Sequence, residues 1–208
     1  MEKPKRIISP EVLRKDRIPP GQSVYDDLPI LHEGIIPNIK LAEWTIETSG
    51  LVKNPLRLSL NDLVLLPQIE LFCDVHCVEG WSKLDTSWVG VWAGTLADKT
   101  MIDPKARFVI IHAAGGFTTN LPLKDFLRED VILAMVKDGD VLEAEHGGPV
   151  RLIVPHLYFW KSAKWVTGIE FVEKDQPGFW EKAGYHNHGD PWMEERFSPE
   201  RARQKNKA

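Results

Sequence analysis

The sequence predicts an α+β fold that is rich in strands, with a mixed sheet and a few short helices. Apolar runs of strand length, bounded by glycine, proline or asparagine, recur along the chain and are typical of sheets. The regular strand-helix rhythm and phosphate-binding glycine fingerprint of a doubly wound parallel sheet do not occur. With 208 residues, 43% of them hydrophobic, the chain can bury one sizeable core.

The two ends of the chain differ from the part between them. Residues 1–27 are polar and punctuated by prolines, with a short apolar patch at Val12 and Leu13, so we expect an N-terminal arm that lies on the body. Residues 28–197 are predicted to form the main domain. Residues 198–208 are predicted to form a basic C-terminal tail.

The first half of the main domain contains three predicted elements. Residues 44–49 alternate apolar and polar side chains, which predicts a strand. Residues 59–63 begin with a good N-cap residue and an acidic first turn, which predicts a short helix that stops near Pro67. Residues 69–75 are typical of a strand, and this strand leads directly into Cys77.

The second half alternates short strands with turns. A short helix is predicted over residues 88–96, and residues 108–112 have the composition of a buried strand. Another short helix is predicted over residues 123–128. Residues 150–155 and 165–172 are predicted strands, joined by an aromatic and basic connection.

The charge distribution argues against a nucleic-acid partner. The chain has a formal net charge of −4, but both tails are basic, which leaves the body between them at about −10. A nucleic-acid groove needs a basic stripe instead.

The sequence also indicates a soluble, cytoplasmic protein. No apolar run approaches the ~20 residues that a membrane helix needs, so we expect no membrane insertion. The N-terminal region has neither the pattern of a secretory signal nor a twin arginine. Cys73 and Cys77 are too far apart along a strand, at ~3.3 Å per residue, for an unstrained disulfide, so both are predicted to be reduced thiols.

Cys77 is the strongest candidate for chemistry, because a strand gives way there to a turn-like exit at residues 78–81. Such an exit presents a thiol at the edge of a sheet, and a soft thiolate is the ligand expected for a soft-ligated transition metal. The alternative is the nucleophile of a cysteine-dependent hydrolase, which needs a histidine brought near from elsewhere. Cys73, among apolar neighbours, is predicted to be a core residue.

A second candidate region lies near the predicted strand at residues 150–155. The run 147–149, Gly-Gly-Pro, permits close backbone approach, and Arg151 offers a planar fork that binds phosphate. Lys161 and Lys164 add positive charge. The alternative is a strand with solvated basic residues on its rim. The role of the pair His186 and His188 stays open, because no third ligand with a clear spacing accompanies it.

Taken in order, these segments resemble the catalytic domain of the sulfite oxidase family of molybdopterin enzymes. The resemblance covers roughly residues 28–197. The motifs that carry it are Pro55 with Leu60-Asn61-Asp62-Leu63, Cys77-Val78-Glu79-Gly80-Trp81, Trp88-Val89-Gly90, residues 148–155, residues 161–165 and Pro191-Trp192. The Cys-Val-Glu-Gly-Trp run is similar to that of the bacterial molybdopterin subunit that reduces methionine sulfoxide.

The resemblance implies a sulfite-oxidase-type fold, a molybdenum-molybdopterin cofactor and a set of site residues. Cys77 matches the molybdenum ligand and the catalytic position. The residues that match contacts to the pterin and its phosphate are His32, Glu33, His146, Arg151, Ser162, Ala163 and Lys164.

The implied activity is a two-electron oxygen-atom transfer. The candidate reactions are reduction of an S- or N-oxide and oxidation of a sulfite-like substrate, so the expected substrate is a small molecule or a sulfoxide. A separate haem or flavin protein is expected to exchange electrons, because no second redox centre is visible in the sequence. A non-catalytic molybdopterin-binding protein and a cysteine-dependent hydrolase remain as alternatives.

Overall fold

Two sheets form the fold in a computed structural model that describes residues 3–205. The strands within these residues are β1 (Lys5–Ile8), β2 (Ser23–Val24), β3 (Thr45–Gly50), β4 (Arg57–Ser59), β5 (Gln68–His76), β6 (Trp81–Trp92), β7 (Phe108–Ala113), β8 (Thr118–Pro122), β9 (Ile132–Lys137), β10 (Asp140–Val141), β11 (Arg151–Ile153) and β12 (Val166–Val172). The helices are α1 (Leu60–Leu65), α2 (Ala93–Thr100), α3 (Leu123–Phe126), α4 (Phe179–Lys182) and α5 (Pro199–Lys205).

The strands divide into a first sheet of seven and a second sheet of five. The first sheet has the order β1-β5-β6-β9-β10, with β2 beside β6 and β11 beside β9; the second has the order β4-β3-β12-β7-β8. Parallel and antiparallel pairs occur in both sheets. Mixed sheets with few short helices confirm the predicted α+β class.

Alternation along the strands of the first sheet supplies two apolar cores. On β9, Leu133 packs in a core shared with the second sheet, whereas Ile132 packs in a different core on the opposite face. On β11, Leu152 and Ile153 divide in the same way. We call the core on the Ile153 side the cysteine-side core, because Cys77 belongs to it. Both faces of the first sheet are therefore covered by apolar side chains, which suits strands with near-continuous apolar runs.

The region predicted as a helix over residues 88–96 is mostly strand. Residues 81–92 form the longest strand of the described part of the chain, and α2 begins only at Ala93, so the prediction was wrong for residues 88–92. Position 90 of this strand requires glycine, because a Cβ atom there would lie 2.0 Å from the carbonyl oxygen of Leu133. The strand and its neighbour approach too closely for any other residue.

The N-terminal arm adds two strands to the first sheet. β1 pairs in parallel with β5, and β2 pairs in parallel with β6. Between them, Arg17 donates to both carboxylate oxygens of the fully buried Asp74, at 2.9 and 2.6 Å. A bidentate pair of this kind fixes the arm at one register.

The C-terminal segment also packs on the body. An antiparallel bridge joins Tyr185 to Phe197, and α5 follows. The predicted basic tail begins in this region. Its residues 206–208, like residues 1–2 of the predicted arm, lie outside the described residues. Within residues 3–205, no helix is long and apolar enough to cross a membrane.

Candidate functional site around Cys77

The turn between β5 and β6 holds Cys77. The Cys77 N–H donates to the carbonyl of Trp81 at 2.8 Å, and the Gly80 N–H donates to the Cys77 carbonyl at 3.0 Å. Gly80 adopts a φ of +95°, which favours glycine because side chains rarely tolerate it. Only 8% of Cys77 is exposed. The backbone therefore presents the thiol inward, into the cysteine-side core.

The Cys77 thiol is not an activated nucleophile in the protein alone. Burial raises its pKa to about 11, while a hydrogen bond from the Glu79 backbone and the charges of Arg151 and Arg196 act in the opposite direction. The thiol is therefore protonated at neutral pH. Binding of a metal cation would displace the proton, because a coordinated thiol is deprotonated outright.

Arg151 lies on the same face of the first sheet as the Cys77 thiol. It occupies the position two before Ile153 on β11, so strand alternation directs it into the cysteine-side core. Its guanidinium stacks 3.9 Å from the centroid of the Phe159 ring. Nη1 donates to the carbonyl of His146 at 2.9 Å, and Nη2 donates to the carbonyl of Ser162 at 3.1 Å.

The Arg151 charge has no carboxylate partner among the described residues. Arg151 is 3% exposed, and its Nε atom is buried without a hydrogen-bond partner among the described residues. Burial lowers its pKa to about 9. A buried, unpaired charge is costly, so the arrangement fits a site that an anionic ligand completes.

Lys164 brings a second positive charge to this place. Its ammonium donates to the backbone carbonyls of Leu31, at 2.8 Å, and Glu145, at 2.5 Å. Burial, together with the nearby charge of Arg151, lowers the Lys164 pKa to about 7. Gly147 (φ +107°) lets the lysine approach, because a Cβ there would lie 2.9 Å from the Lys164 Cβ.

Ser162 and Ala163 contribute mainly through the backbone, and both are buried. The Ser162 hydroxyl accepts a hydrogen bond from the Val154 N–H at 2.9 Å, while its carbonyl accepts from Arg151. The Ala163 carbonyl accepts from the Leu152 N–H at 2.9 Å. Both residues therefore fix the connection that follows β11.

The other predicted pterin contacts, His146, His32 and Glu33, lie on segments that border Arg151 and Lys164. His146 has a buried Nδ1 atom without a partner in the described region, and burial lowers its pKa. His32 is exposed, with its ring centroid 6.3 Å from that of Trp165. The neighbouring Leu31 carbonyl binds Lys164, so this loop lies beside the basic pair. Glu33 is exposed on that loop.

Lys161 does not join the site, contrary to the sequence prediction. It is fully buried and lies 2.6 Å from a carboxylate oxygen of Glu181. Its ammonium also donates to the Asn187 carbonyl at 2.7 Å and to Asn120. The short 3-10 turn at Phe159–Lys161 directs the lysine away from Arg151 and toward this separate group.

Several residues near Cys77 were missed by sequence reasoning. Gln22, in the arm, donates from Nε2 to the Cys77 carbonyl at 3.0 Å. Trp81 and Phe159 meet edge to face, with ring centroids 6.0 Å apart, in the same core as the thiol. The aromatic connection was the only sequence signal for Phe159, whereas Trp81 closes the Cys-Val-Glu-Gly-Trp run that the sequence had indicated. Nothing in the arm's composition indicated Gln22.

The histidines near the C-terminus lie close to carboxylates. His188 Nδ1 lies 2.7 Å from Glu195 Oε2, and His188 Nε2 lies 3.5 Å from Asp125 Oδ2. His186 Nδ1 lies 3.3 Å from the same Glu195 oxygen. The one group of three potential metal-ligating side chains found within the described residues is elsewhere, at Glu143, Glu145 and His146. Both histidines therefore lie against carboxylates, and the role of the pair stays open.

The His188 pairing predicts a pH-dependent contribution to stability. Hydrogen bonding to Asp125 and Glu195 raises the His188 pKa above 6.5, its ordinary value. The stabilisation is then complete below pH 6.5 and is lost as pH rises through the folded-state pKa. We expect His188→Gln to lower the free energy of unfolding by roughly 1 kcal/mol at pH 6, after solvent screening, and by less at pH 9. Urea unfolding of both proteins at the two pH values measures this, and an equal difference at both would contradict it.

The chain is similar to proteins of a known family. Residues 32–180 match the family model described as the oxidoreductase molybdopterin binding domain. The chain is 48% identical over 183 residues to the uncharacterized oxidoreductase YuiH of Bacillus subtilis, covering 88% of this chain and 92% of that protein.

Two more distant relatives match this chain over only part of their own length. The putative protein-methionine-sulfoxide reductase subunit YedZ1 of Azospira oryzae is 30% identical over 155 residues, covering 74% of this chain and 58% of that protein. The catalytic subunit MsrP of the protein-methionine-sulfoxide reductase of Ralstonia nicotianae is 32% identical over 162 residues, covering 70% and 49%. The chain thus spans about half the length of these two relatives.

A solved structure shares the fold. The sulfane dehydrogenase SoxCD of Paracoccus pantotrophus superimposes with a TM-score of 0.62 at 22% identity, covering 67% of this chain and 40% of that one. At this level of identity the likeness concerns the fold alone.

Proposed function

We propose, because the chain belongs to the family of oxidoreductase molybdopterin-binding domains, that it catalyses a two-electron oxygen-atom transfer. Membership confirms the predicted sulfite-oxidase-type family, the molybdenum cofactor and the assignment as an oxidoreductase. The observation that carries the proposal is the shared burial of the Cys77 thiol and the unpaired Arg151 guanidinium in one core.

The residues around Cys77 fit this cofactor. When bound, the cofactor supplies the redox chemistry through its metal. Cys77 offers the soft sulfur that a molybdenum ligand requires, and its turn fixes the direction of that sulfur. Arg151 and Lys164 offer unpaired positive charge for an anionic pterin phosphate, and the unpartnered His146 Nδ1 offers one further polar contact.

The core around the thiol excludes water. Trp81 and Phe159 are 5% and 8% exposed and cover the side of the site next to Cys77. Low exposure to water strengthens the electrostatic interactions of the groups beside the thiol.

The two alternative functions are less well supported. A cysteine-dependent hydrolase needs an imidazole bound to the thiol, and no such hydrogen bond involves Cys77 within residues 3–203, whose side chains are described. The raised pKa of the thiol also opposes nucleophilic attack. A non-catalytic binder would use Arg151 and Lys164 but would have no need for Cys77.

For the substrate we favour a sulfoxide, with an N-oxide or a sulfite-like molecule as the other candidates. Two relatives carry methionine-sulfoxide reductase in their names, which supports this choice. We also propose a separate haem or flavin protein as the electron partner. The predicted cytoplasmic location stays a proposal, because Cys73 and Cys77 are both free but lie too far apart along the chain's strand to form an unstrained disulfide in any compartment.

Metal and pterin analysis tests the proposal. Protein purified from a host that makes molybdenum cofactor is expected to contain about one molybdenum and one pterin per chain. It should reduce methionine sulfoxide with an artificial electron donor, and growth on tungstate should remove or change that activity. Stoichiometric cofactor without turnover of any oxide or of sulfite would favour the non-catalytic binder. Absence of both molybdenum and pterin would overturn the proposal.

A further inference from the structure

The turn that carries Cys77 is held from outside the family domain. The family match covers residues 32–180, yet contacts to the turn come from the arm before it and from the C-terminal segment after it. The Ser23 N–H donates to the Gly80 carbonyl at 2.8 Å, and Gln22 donates to the Cys77 carbonyl at 3.0 Å. A Cβ at Gly80 would lie 3.3 Å from the Gly21 carbonyl oxygen, so turn and arm are in close contact.

Arg196 joins these flanking segments at one point. Its Nη1 donates to the carbonyl of Val78, the residue after Cys77, at 2.6 Å. Its Nη2 lies 3.1 Å from the Pro20 carbonyl and 3.2 Å from the Gly21 carbonyl, both in the arm. The guanidinium carbon lies 5.2 Å from the centroid of the Tyr158 ring.

This geometry suits a guanidinium in particular. Three backbone carbonyls from two separate segments converge on two nitrogens of one planar group. The fork is rigid, so fixing it on the arm also fixes the Val78 carbonyl. Because Val78 is bonded directly to Cys77, the same contacts restrain the backbone from which the thiol projects.

We propose that Arg196 is a positioning residue that fixes the Cys77 turn against the arm and thereby sets the orientation of the sulfur toward molybdenum. The inference rests on the proposed function, since it concerns the same thiolate. Arg196 lies outside the matched domain, so this support is a feature of the flanking segments.

Arg201 provides a matched control. It lies in the same C-terminal segment, donates from Nη1 to the Ala183 carbonyl at 2.9 Å, and stacks 4.7 Å from the Phe197 ring centroid. It therefore makes the same kinds of contact as Arg196 without reaching the Cys77 turn. The variants to compare are Arg196→Gln, Arg196→Lys and Arg201→Gln.

Two readouts separate positioning from general support of the fold. In protein without cofactor, hydrogen exchange at the Ser23 and Gly80 amides should be about tenfold faster in Arg196→Gln and unchanged in Arg201→Gln. In loaded protein, Arg196→Gln should shift the sulfur-to-molybdenum absorption band and lower turnover ~10- to 100-fold, as expected for a misplaced group, while molybdenum and pterin contents stay near wild type. Arg196→Lys should restore part of the wild-type absorption band position and part of the turnover, because an ammonium still donates to carbonyls.

The outcomes are distinguishable. A wild-type absorption band and turnover in Arg196→Gln would overturn the inference, as would equal shifts in Arg201→Gln. If Arg196→Gln fails to fold, the sulfur-to-molybdenum absorption band and the turnover are measured in Arg196→Lys instead. A wild-type band together with full turnover in Arg196→Lys would then overturn the inference. Failure of the wild-type protein to bind molybdenum would instead count against the proposed function, and the exchange measurement would still test the contact with the arm.

Discussion

Replacing Cys77 with serine is expected to abolish turnover while leaving most of the pterin bound. A serine hydroxyl is a hard, weakly acidic group and does not replace a soft thiolate on the metal. The charges that fit the pterin phosphate come from Arg151 and Lys164, on other segments, and they remain in the variant. The loss should exceed the ~10- to 100-fold that removal of an outer-shell partner costs. Turnover with an artificial donor and pterin fluorescence after denaturation measure the two effects.

Cys73 offers the control for this experiment. It is the other free cysteine, fully buried four residues earlier, and its Sγ lies 3.5 Å from the Thr86 hydroxyl. Burial raises its pKa, which is typical of an inert core thiol. Cys73→Ala is expected to keep both pterin and turnover, at a stability cost of about 1 kcal/mol. Full activity in Cys77→Ser would contradict the assigned role of the thiol. Loss of pterin from Cys77→Ser would contradict the expectation that Arg151 and Lys164, rather than the thiol, hold the pterin.

The parts of the site that lie on regular strands could be predicted from the sequence. Cys73 lies on β5, Cys77 continues the same alternation one residue beyond its end, and both belong to the cysteine-side core. Arg151 and Ile153 follow the same alternation on β11. A period of two fixes which side chains share a face, so the sequence indicated both candidate regions, whereas the burial of Cys77 and Arg151 became evident only from the fold.

The remaining contacts depend on how distant segments meet, which periodicity does not encode. Arg196 and Gln22 reach the Cys77 turn from opposite ends of the chain, and neither lies on a patterned element. Lys161 and Lys164 have similar spacing from Arg151, yet the pairing of Lys161 with Glu181 removes it from the site. Residues 88–92 were mistaken for helix although Trp and Val are types that favour strands, and Gly90 fits the close approach to the neighbouring strand.

Replacing Arg151 with methionine is expected to remove the cofactor without unfolding the protein. In the cofactor-free protein, the substitution removes a buried charge that has no carboxylate partner in the described region, which is favourable. It also leaves the carbonyls of His146 and Ser162 without their donors, which is unfavourable. These effects oppose each other, so the free energy of unfolding should change by no more than ~1 kcal/mol. Urea unfolding of the cofactor-free variant measures it.

Arg128 gives the contrast that identifies the role of Arg151. Its guanidinium lies 2.9 Å from the buried carboxylate of Asp130, so Arg128→Met leaves that carboxylate without an ion-pair partner among the described residues, whereas Glu11, 3.5 Å from Arg128, keeps its pair with Arg14 at 3.0 Å. That variant should lose ~3 kcal/mol of stability, as expected when one partner of a buried pair is removed. Folded Arg128→Met, measured at low temperature, should retain pterin, whereas Arg151→Met should retain less than about a tenth of the wild-type pterin. An Arg151→Met protein with wild-type pterin content would show that Arg151 does not hold the anion. A loss of stability as large as that of Arg128→Met would show instead that Arg151 supports the fold.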